Sequence, residues 1–387
     1  MPNPIINPAI LLSPVENGYV AYDPVCDRLH QLNPMAALLA ELCDGTRSPA
    51  DIRAIAGPLL PEGEADQIDR WIAEGTRTGL LAPSADIAAG HRELSGDELY
   101  RLSKRLDETG KVQTAFLCGK RAVELNPDNP DAWYSLGEIA QCAGRRADAR
   151  VAYEKYLEFH PEDAEIRHLV VALRDEAPPP RAPNDTIQHI YRHFAATYES
   201  QMRDDLKYQG PERIQDAIRS VMGDRSGLAV LDLGCGSGLS GVALKPWAAH
   251  MAGVDLSPEM IALASARGIY DRLEVAEITE WLDRTTESFD LAVACDCLIY
   301  FGDLGLITRL AAKRLRPGGA FVMSMERGER YPFQLTDSGR YTHHPGHVRE
   351  VAAAAGLRVA SLEEAFLRME YGVEVTGLFA TLKKDGG

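Results

Sequence analysis

The residues best suited to chemistry lie at the ends of two apolar stretches in the second half of the chain. The first stretch, residues 228–233, contains Asp232 and runs directly into the glycine-rich sequence Gly234-Cys-Gly-Ser-Gly238. The second, residues 251–254, is followed by Asp255. Glycines allow a backbone to approach a ligand closely, and a carboxylate at a strand end can accept hydrogen bonds from both hydroxyls of a ribose. The pattern therefore predicts a site for a ligand that contains a sugar.

The spacing of these glycines argues against two common nucleotide sites. A dinucleotide fingerprint requires glycines at the first, third and sixth places, and the sixth place counted from Gly234 is Leu239. A nucleoside triphosphate site needs a lysine that reaches the phosphates, and this loop has none. The chain instead has glycines at three alternate positions, preceded by an acidic residue.

From about residue 185 onward, helical segments alternate with apolar strands, a pattern typical of a doubly wound α/β sheet. Residues 273–278 form a predicted third strand that ends at Glu277 and Ile278, and residues 289–296 a predicted fourth strand that ends at Asp296. Ligands of such sheets bind beyond the carboxyl ends of the strands, where the strand order reverses. We therefore expect the glycine-rich loop and these strand ends to share one site.

Residues 185–387 resemble the class I methyltransferases that use S-adenosylmethionine, and in particular a predicted bacterial group often fused to tetratricopeptide repeats. The resemblance is carried by the glycine-rich loop, by Asp255, by the strand that ends at Asp296 and by the flanking sequences 194–198 and 339–344. It implies a Rossmann-like fold and S-adenosyl-L-methionine as the cofactor. The residues it implies for cofactor binding are Tyr198, Asp232, Gly234, Cys235, Gly236, Gly238, Asp255, Leu256, Glu277, Ile278 and Asp296.

Few residues are obligatory for methyl transfer, because this in-line displacement mainly requires a positioned nucleophile and the exclusion of water. Tyr198, on a predicted lid helix, would cover the methionine end or simply pack there, and Asp296 would orient the methionine amine or the substrate. A histidine near neutral pKa can remove a proton from a nucleophile. His343 and His344 are candidates for this role; the alternative is that they cap the next helix or pair with Glu350. Weaker candidates of the same kind are Tyr300 and Glu326.

Residues 1–90 combine β-type sequence with helical sequence. Two short strands, at residues 18–22 and 28–32, flank a turn at Asp23-Pro24, and three predicted helices follow. The second of these begins at Ser48-Pro49, where a favourable N-cap precedes a proline at the first helical position. A β-hairpin followed by three helices is therefore expected.

This order resembles the small peptide chaperone of pyrroloquinoline-quinone biosynthesis and the leader-peptide recognition elements built on its winged-helix fold. The matching sequences are residues 22–24, 32–34, 43–46 and 79–81. The resemblance implies that a leader peptide adds as an extra strand beside the hairpin and lies against the third helix. The alternative is a degenerate winged helix that serves only as a structural cap.

Residues 95–175 contain an internal repeat of the tetratricopeptide type. The sequence Val123-Glu-Leu-Asn-Pro127 recurs as Leu157-Glu-Phe-His-Pro161, and the period (161 minus 127, or 34 residues) is that of this repeat. Each copy is a helical hairpin that must stack on a neighbour, so a capping helix is expected at 166–173. Two copies offer a short groove, and a spacer or dimer contact is the alternative to peptide binding. A Pro-rich linker at 176–184 marks the last predicted boundary.

Composition narrows the function classes further. A chain of 387 residues predicts two or three domains, and a net charge of -16 opposes nucleic acids and anionic membranes as partners. Neither a signal peptide nor a bilayer-spanning apolar run is evident, so a cytoplasmic location is expected. The seven cysteines lack C-x-x-C pairs, which predicts neither disulfides nor a metal site. Cys295 and Cys297 are expected to be small buried residues. The sequence gives no prediction of oligomeric state.

Three functions fit this organisation. In the preferred one, the N-terminal segment captures the leader of a ribosomally made precursor peptide and the C-terminal domain methylates its core, a step of natural-product biosynthesis. Tethering would raise the effective concentration of the core. In the second, the enzyme methylates a small molecule or a folded protein and the N-terminal domains are a scaffold. In the third, the domain only binds the cofactor, which the intact Asp232, Asp255 and glycine-rich loop argue against.

Overall fold

The computed structural model describes two compact units, which are divided between Phe159 and His160. The first holds the elements of the N-terminal segment and the repeat helices, and the second holds the α/β sheet. No described helix is both long and apolar enough to cross a bilayer. The predicted boundary near residue 90 lies outside the described residues, which are 3–15, 18–61, 64–83, 94–174, 176–370 and 372–386.

The first unit opens with short strands and three helices. In chain order these are β1 (Pro4–Ile6), β2 (Leu11–Val15), β3 (Gly18–Asp23), β4 (Arg28–Leu32), α1 (Pro34–Leu42), α2 (Pro49–Ala56), α3 (Asp66–Thr78) and β5 (Leu81–Pro83). β2, β3 and β4 form an antiparallel sheet in that order, and β1 pairs with β5. The predicted hairpin and three helices are present, together with three further strands. The winged-helix resemblance itself stays a prediction.

Local sequence explains where these helices begin and end. The Asn33 side chain accepts a hydrogen bond from the Ala36 amide, and Ser48 forms a reciprocal capping box with Asp51. α3 ends at Gly79, whose φ of 82° is a left-handed conformation that glycine adopts without strain. The helix start predicted at Ser48-Pro49 is therefore confirmed.

Four further helices complete the first unit as two stacked hairpins: α4 (Gly96–Glu108), α5 (Val112–Leu125), α6 (Pro130–Cys142) and α7 (Arg146–Phe159). Small residues permit the close packing. Gly137 of α6 lies against the ring of Tyr153 of α7, where a Cβ atom would collide with that ring. The tetratricopeptide prediction is confirmed for these two hairpins.

The second unit contains most of the remaining chain. Its elements are α8 (Ala164–Ala172), α9 (Asn184–Phe194), α10 (Tyr198–Ser200), α11 (Gly210–Met222), β6 (Leu228–Leu233), α12 (Leu239–Leu244), β7 (Ala248–Asp255), α13 (Pro258–Ala266), β8 (Arg272–Val275), α14 (Ile278–Arg284), β9 (Phe289–Ala294), α15 (Gly305–Arg314), β10 (Leu315–Arg327), β11 (Phe333–Leu335), β12 (Tyr341–His343), α16 (Pro345–Ala354), β13 (Arg358–Glu370) and β14 (Val373–Lys383).

The strands of this unit form one mixed sheet. Its main path runs β8-β7-β6-β9-β10-β14-β13, with the first five strands parallel and β14 antiparallel to both neighbours. β11 and β12 extend the sheet from the end of β10. The strand order reverses between β6 and β9, where a ligand site is expected in such a sheet. The predicted doubly wound, Rossmann-like fold is confirmed, with an antiparallel hairpin added at one edge.

The segments before the sheet belong to the second unit. The helix expected at 166–173 is present as α8, but it belongs to the second unit and packs against α9, where the Thr186 hydroxyl donates to the Ala164 carbonyl at 3.0 Å. Part of the predicted linker is hydrogen-bonded to the second unit. Ala182 N donates to the Tyr300 carbonyl at 2.8 Å, and the Pro180 carbonyl accepts from Gly302 N at 2.8 Å. We call residues 179–182 the strap.

Candidate active site

The glycine-rich loop after β6 is held in an unusual backbone conformation. Gly234, Gly236 and Gly238 have φ angles of 65°, 53° and 88°, a region that other residues rarely adopt. The amides of Gly234 and Cys235 donate to the Val254 carbonyl at 2.8 and 3.1 Å, which fixes the loop to the end of β7. A Cβ atom on Gly234 would collide with the Cys297 side chain. Glycine is therefore required here for both conformation and space.

Asp255 closes this loop from the neighbouring strand. Its Oδ2 accepts from Gly236 N at 2.8 Å and its Oδ1 from Ser257 N at 2.9 Å. Burial raises the pKa of Asp255, while the hydrogen bonds from backbone amides lower it. Asp255 and its neighbour Leu256 both line a cavity at the carboxyl ends of the strands.

Asp232 lies beneath the loop and is not among the residues that line the cavity. Its Oδ2 accepts from the Tyr270 hydroxyl at 2.7 Å and from the Ser240 hydroxyl at 2.8 Å. Among the described residues, its buried Oδ1 has no hydrogen-bond partner. Burial raises the pKa of Asp232 to about 6. The structure thus places this carboxylate as a support of the loop.

Glu277 and Ile278 line the cavity at the start of α14. Glu277 caps this helix, since its Oε2 accepts from Glu280 N at 2.8 Å and from the Thr279 hydroxyl. Its other carboxylate oxygen, Oε1, lies 3.0 Å from Nη1 of Arg181 in the strap. A buried acid thus faces the cavity with a cation beside it.

Asp296 lies two residues beyond β9 with a φ of 56°, a strained conformation for an aspartate. Its amide donates to the Ser324 hydroxyl at 2.9 Å, which holds this turn against β10. Burial raises the pKa of Asp296 to about 6, although the nearby Arg368 lowers it. Strain of this kind concentrates at functional sites. Here it directs a carboxylate into the cavity.

Three tyrosines cover the same cavity. Tyr198 begins the short helix α10, and its ring packs edge-on against Tyr191 with a centroid distance of 6.2 Å. The hydroxyl of Tyr300 donates to that of Tyr191 at 3.2 Å. Burial raises the pKa of all three phenols, so they are uncharged at neutral pH. A π-helical turn, Gln201–Asp205, follows α10, and such turns are frequent at functional sites.

His343 and His344, the predicted bases, lie elsewhere. The fully buried His343 points Nε2 at the Phe301 carbonyl, 2.7 Å away, and burial lowers its pKa to about 4. His344 caps α16, because its Nδ1 accepts from Gly346 N at 3.0 Å. Neither residue lines the cavity. His344 therefore lies at a helix cap, which sequence analysis gave as the alternative to a catalytic base.

Most of the predicted cofactor residues meet at this cavity, together with residues that sequence analysis did not predict. Cys235 and Gly238 lie in the loop but do not line the cavity. Lining residues without a sequence prediction include Arg181, Tyr191, Cys295 and Cys297; Cys297 Sγ donates to the Leu233 carbonyl at 3.2 Å. The complete lining is Arg181, Ile187, Tyr191, Tyr198, Gly234, Gly236, Asp255, Leu256, Glu277, Ile278, Cys295, Asp296, Cys297, Tyr300 and Phe301.

These residues fit an adenosyl cofactor. The left-handed glycines leave a side-chain-free surface for close approach, and the two acids at neighbouring strand ends, Asp255 and Glu277, supply acceptors for hydroxyl or amine hydrogens. The aromatic cover supplies an apolar wall. The site therefore offers acceptors and an apolar wall that a sugar and a purine can use.

Comparisons with known proteins agree with this geometry. Residues 230–319 match a methyltransferase domain family, and residues 118–150 match a tetratricopeptide repeat. A ubiquinone biosynthesis O-methyltransferase of Xylella fastidiosa is 30% identical over 175 residues, which cover 40% of this chain and 71% of the relative. The chain belongs to the S-adenosylmethionine-dependent methyltransferases.

Two further similarities have lower sequence identity. The protein of the same name from Xanthomonas oryzae pv. oryzae is 28% identical over 155 residues, 36% of this chain and 64% of the relative, so the chain spans less than two thirds of it. A crystal structure of Burkholderia thailandensis 1,6-didemethyltoxoflavin-N1-methyltransferase is 22% identical and covers 54% of this chain and 93% of its own, with a TM-score of 0.42. That score is too low to support a conclusion about substrate.

Proposed function

We propose that this methyltransferase transfers a methyl group from S-adenosylmethionine to a hydroxyl oxygen of a small molecule. The observation that carries the proposal is the carboxylate of Asp296, which lines the cofactor cavity and has a pKa of about 6. A base with a pKa near the working pH is largely ionised and still accepts a proton readily. The relatives are named O-methyltransferases, which supports oxygen as the acceptor atom.

Asp296 acts as the general base of the proposed reaction. When bound, S-adenosylmethionine supplies an electrophilic methyl group on a positively charged sulfur. Asp296 takes the proton of the attacking hydroxyl at one of its carboxylate oxygens. Arg368 lies 3.4 Å from both of these oxygens and keeps the carboxylate oriented. The protein thus contributes a fixed proton acceptor rather than a covalent intermediate.

The tyrosine cover keeps water away from the site. Tyr198 packs against Phe194 with a centroid distance of 5.5 Å and against Tyr191, so its ring is held by two neighbours. Because burial raises the pKa of Tyr300, its hydroxyl acts as a hydrogen-bond donor and not as a base. A dry site strengthens the electrostatic interactions within it and prevents competing hydrolysis.

The proposal is tested by measuring transfer of radiolabelled methyl groups to a panel of hydroxylated aromatic compounds. The panel includes matched compounds in which an amine, a thiol or a carboxylate replaces the hydroxyl. We expect product only from hydroxyl acceptors, and a fall of at least about 100-fold in kcat for Asp296→Asn. Asp290→Asn, at the start of the same strand, is the matched control. Transfer to amines alone, or full activity of Asp296→Asn, would reject the proposal.

A second candidate acceptor is the core of a ribosomally made precursor peptide. Within the described residues β4 pairs only with β3, so its outer edge offers backbone groups to an added strand. Arg28 at the start of β4 donates to the Thr78 carbonyl at the end of α3 at 2.7 Å, so this edge lies beside α3. Leu29 of β4 is 49% exposed and offers an apolar contact. These features support capture of a leader peptide at the β4 edge.

The second candidate requires its own test. If a short open reading frame beside the gene for this methyltransferase encodes a precursor peptide, that peptide is the test substrate, and it is compared with its core lacking the leader. Leu29→Asp should slow methylation of the full precursor about tenfold or more while leaving the free core and S-adenosylhomocysteine binding unaffected. Leu59→Asp, at a residue that is 62% exposed, is the control. Equal rates for Leu29→Asp and the control on the precursor would exclude capture at this edge.

A further inference from the structure

We infer that Arg181 of the strap is a positioning residue of the cofactor site, and that it acts through Glu277. Both side chains line the cavity beside the glycine-rich loop. Nη1 of Arg181 lies 3.0 Å from Oε1 of Glu277, whose side chain is only 3% exposed. The contact is an ion pair without hydrogen-bond geometry, since Oε1 has no hydrogen-bond partner among the described residues, and the nearby cation compensates a buried charge. The inference goes beyond the proposed acceptor, because it concerns the cofactor end of the site alone.

Hydrogen bonds to the backbone of the strap fix the position of Arg181. Ala182 N donates to the Tyr300 carbonyl at 2.8 Å, and the Pro180 carbonyl accepts from the amides of Gly302 and Asp303 at 2.8 and 3.0 Å. The Tyr341 hydroxyl donates to the Pro179 carbonyl at 2.8 Å. These hydrogen bonds, together with an isolated β-bridge between Arg181 and Phe301, hold the strap beside residues 300–303. Arg181 is therefore built into the fold and not carried on a free linker.

The Arg181 side chain is also constrained at its charged end. Its guanidinium lies over the ring of Phe301, 5.4 Å from the centroid, and binds the side chain of Asn184 at the start of α9. Glu277 is engaged on its other oxygen by Glu280 N and Thr279. One oxygen of Glu277 is thus hydrogen-bonded at the start of α14, and the other is paired in charge with Arg181. Without Arg181, that carboxylate would be a buried charge lacking its cation.

The inference is tested by calorimetric titration of the full-length protein with S-adenosylhomocysteine, which requires no acceptor. We expect Arg181→Ala and Glu277→Gln each to weaken binding about tenfold or more, since removing one partner of a buried ion pair leaves the other charge uncompensated at the site. The double variant should bind S-adenosylhomocysteine no more weakly than the single variant with the lower affinity does, because the two residues act as one unit. Arg181→Lys, which keeps the cation, should recover part of the loss.

A matched control separates this role from a general effect on the fold. Arg167→Ala removes another arginine–carboxylate pair of the same segment, with Asp185 at 2.7 Å, and should leave affinity unchanged within twofold. Circular dichroism verifies that each variant is folded, and Arg181→Gln replaces Arg181→Ala if the latter is not. Hydrogen exchange of residues 176–184 should slow when S-adenosylhomocysteine binds. Wild-type affinity in Arg181→Ala, or losses that multiply in the double variant, would overturn the inference.

Discussion

The guanidinium group of Arg368 holds the carboxylate of Asp296, with Nη1 lying 3.4 Å from each of the two carboxylate oxygens. Arg368 belongs to β13 in the antiparallel hairpin, and its side chain is only 3% exposed. Its Nη2 binds Glu326 of β10 and lies 3.3 Å from Glu370. One buried cation thus serves three carboxylates at the edge of the active site.

Replacement of Arg368 by methionine should destabilise the protein. Removing one partner of a buried ion pair typically costs about 3–5 kcal/mol, because the remaining charges lose their compensation. We therefore expect a large drop in the melting temperature of Arg368→Met. The surface variant Arg316→Met, which removes an exposed pair with Asp290, should melt close to the wild type. If both variants have the same melting temperature, the buried ion pairs of Arg368 contribute nothing to stability.

The pH dependence of methyl transfer should reflect the ionisation of Asp296. A general base works when it is deprotonated, so kcat/KM should fall as the pH drops through about 6, the pKa of Asp296. Arg368 lowers this pKa, so Arg368→Lys, which keeps the charge in a weaker geometry, should shift the acid limb of the profile to higher pH. The profile is measured with an acceptor found in the panel described above. An acid limb that stays in place in both Arg368→Lys and Asp296→Asn would assign it to another group.

A second pH effect concerns Tyr270, which donates to the buried Asp232 at 2.7 Å. Burial raises the pKa of Asp232 from 3.8 to about 6. The folded protein therefore binds this proton more tightly than the unfolded chain does, and the associated stability is fully present below pH 4 and is lost as the pH rises through about 6. Tyr270→Phe removes a donor to the ionised form, so it should lower the free energy of unfolding by about 1–3 kcal/mol at pH 7.5.

At pH 4.5, where Asp232 is mostly protonated, Tyr270→Phe should cost less. Denaturant unfolding at the two pH values gives the comparison. Tyr331→Phe removes a hydroxyl that binds Glu350 at the surface and serves as the control, because its effect on the free energy of unfolding should be similar at both pH values. An identical cost of Tyr270→Phe at pH 4.5 and 7.5 would show that Asp232 does not ionise in this range.

Much of the cofactor site could be predicted from the sequence, because its signals are local. The glycine loop and Asp232 lie within seven consecutive residues, and Asp255 and Asp296 follow apolar strands whose carboxyl ends must meet in a parallel sheet. The repeat was equally visible, since a period of 34 residues is a property of the chain itself.

The missed residues act across long separations. Arg181 and Glu277 are 96 positions apart (277 minus 181), and Arg368 and Asp296 are 72 apart. No local spacing predicts such pairs. The position of His343 has a related cause, since β12 pairs with β10 and buries its ring completely. Tertiary pairing, and not local sequence, determines the environment of these side chains.

The last prediction concerns release of the demethylated cofactor. Glu199, next to Tyr198 in the aromatic cover, binds Arg267 at the end of α13, and Arg267 Nε donates to the Ser237 carbonyl of the glycine-rich loop at 2.6 Å. This chain of contacts ties the cover to the loop, so we expect the cover to open when the Glu199–Arg267 pair separates.

Because a half-exposed pair is worth about 1 kcal/mol at most, Glu199→Gln should speed dissociation of S-adenosylhomocysteine about two- to fivefold. Stopped-flow displacement by excess S-adenosylmethionine measures the rate, and the exposed Glu212→Gln on α11 is the control. A dissociation rate that is unchanged in Glu199→Gln, or raised equally in both variants, would mean that opening does not depend on this pair.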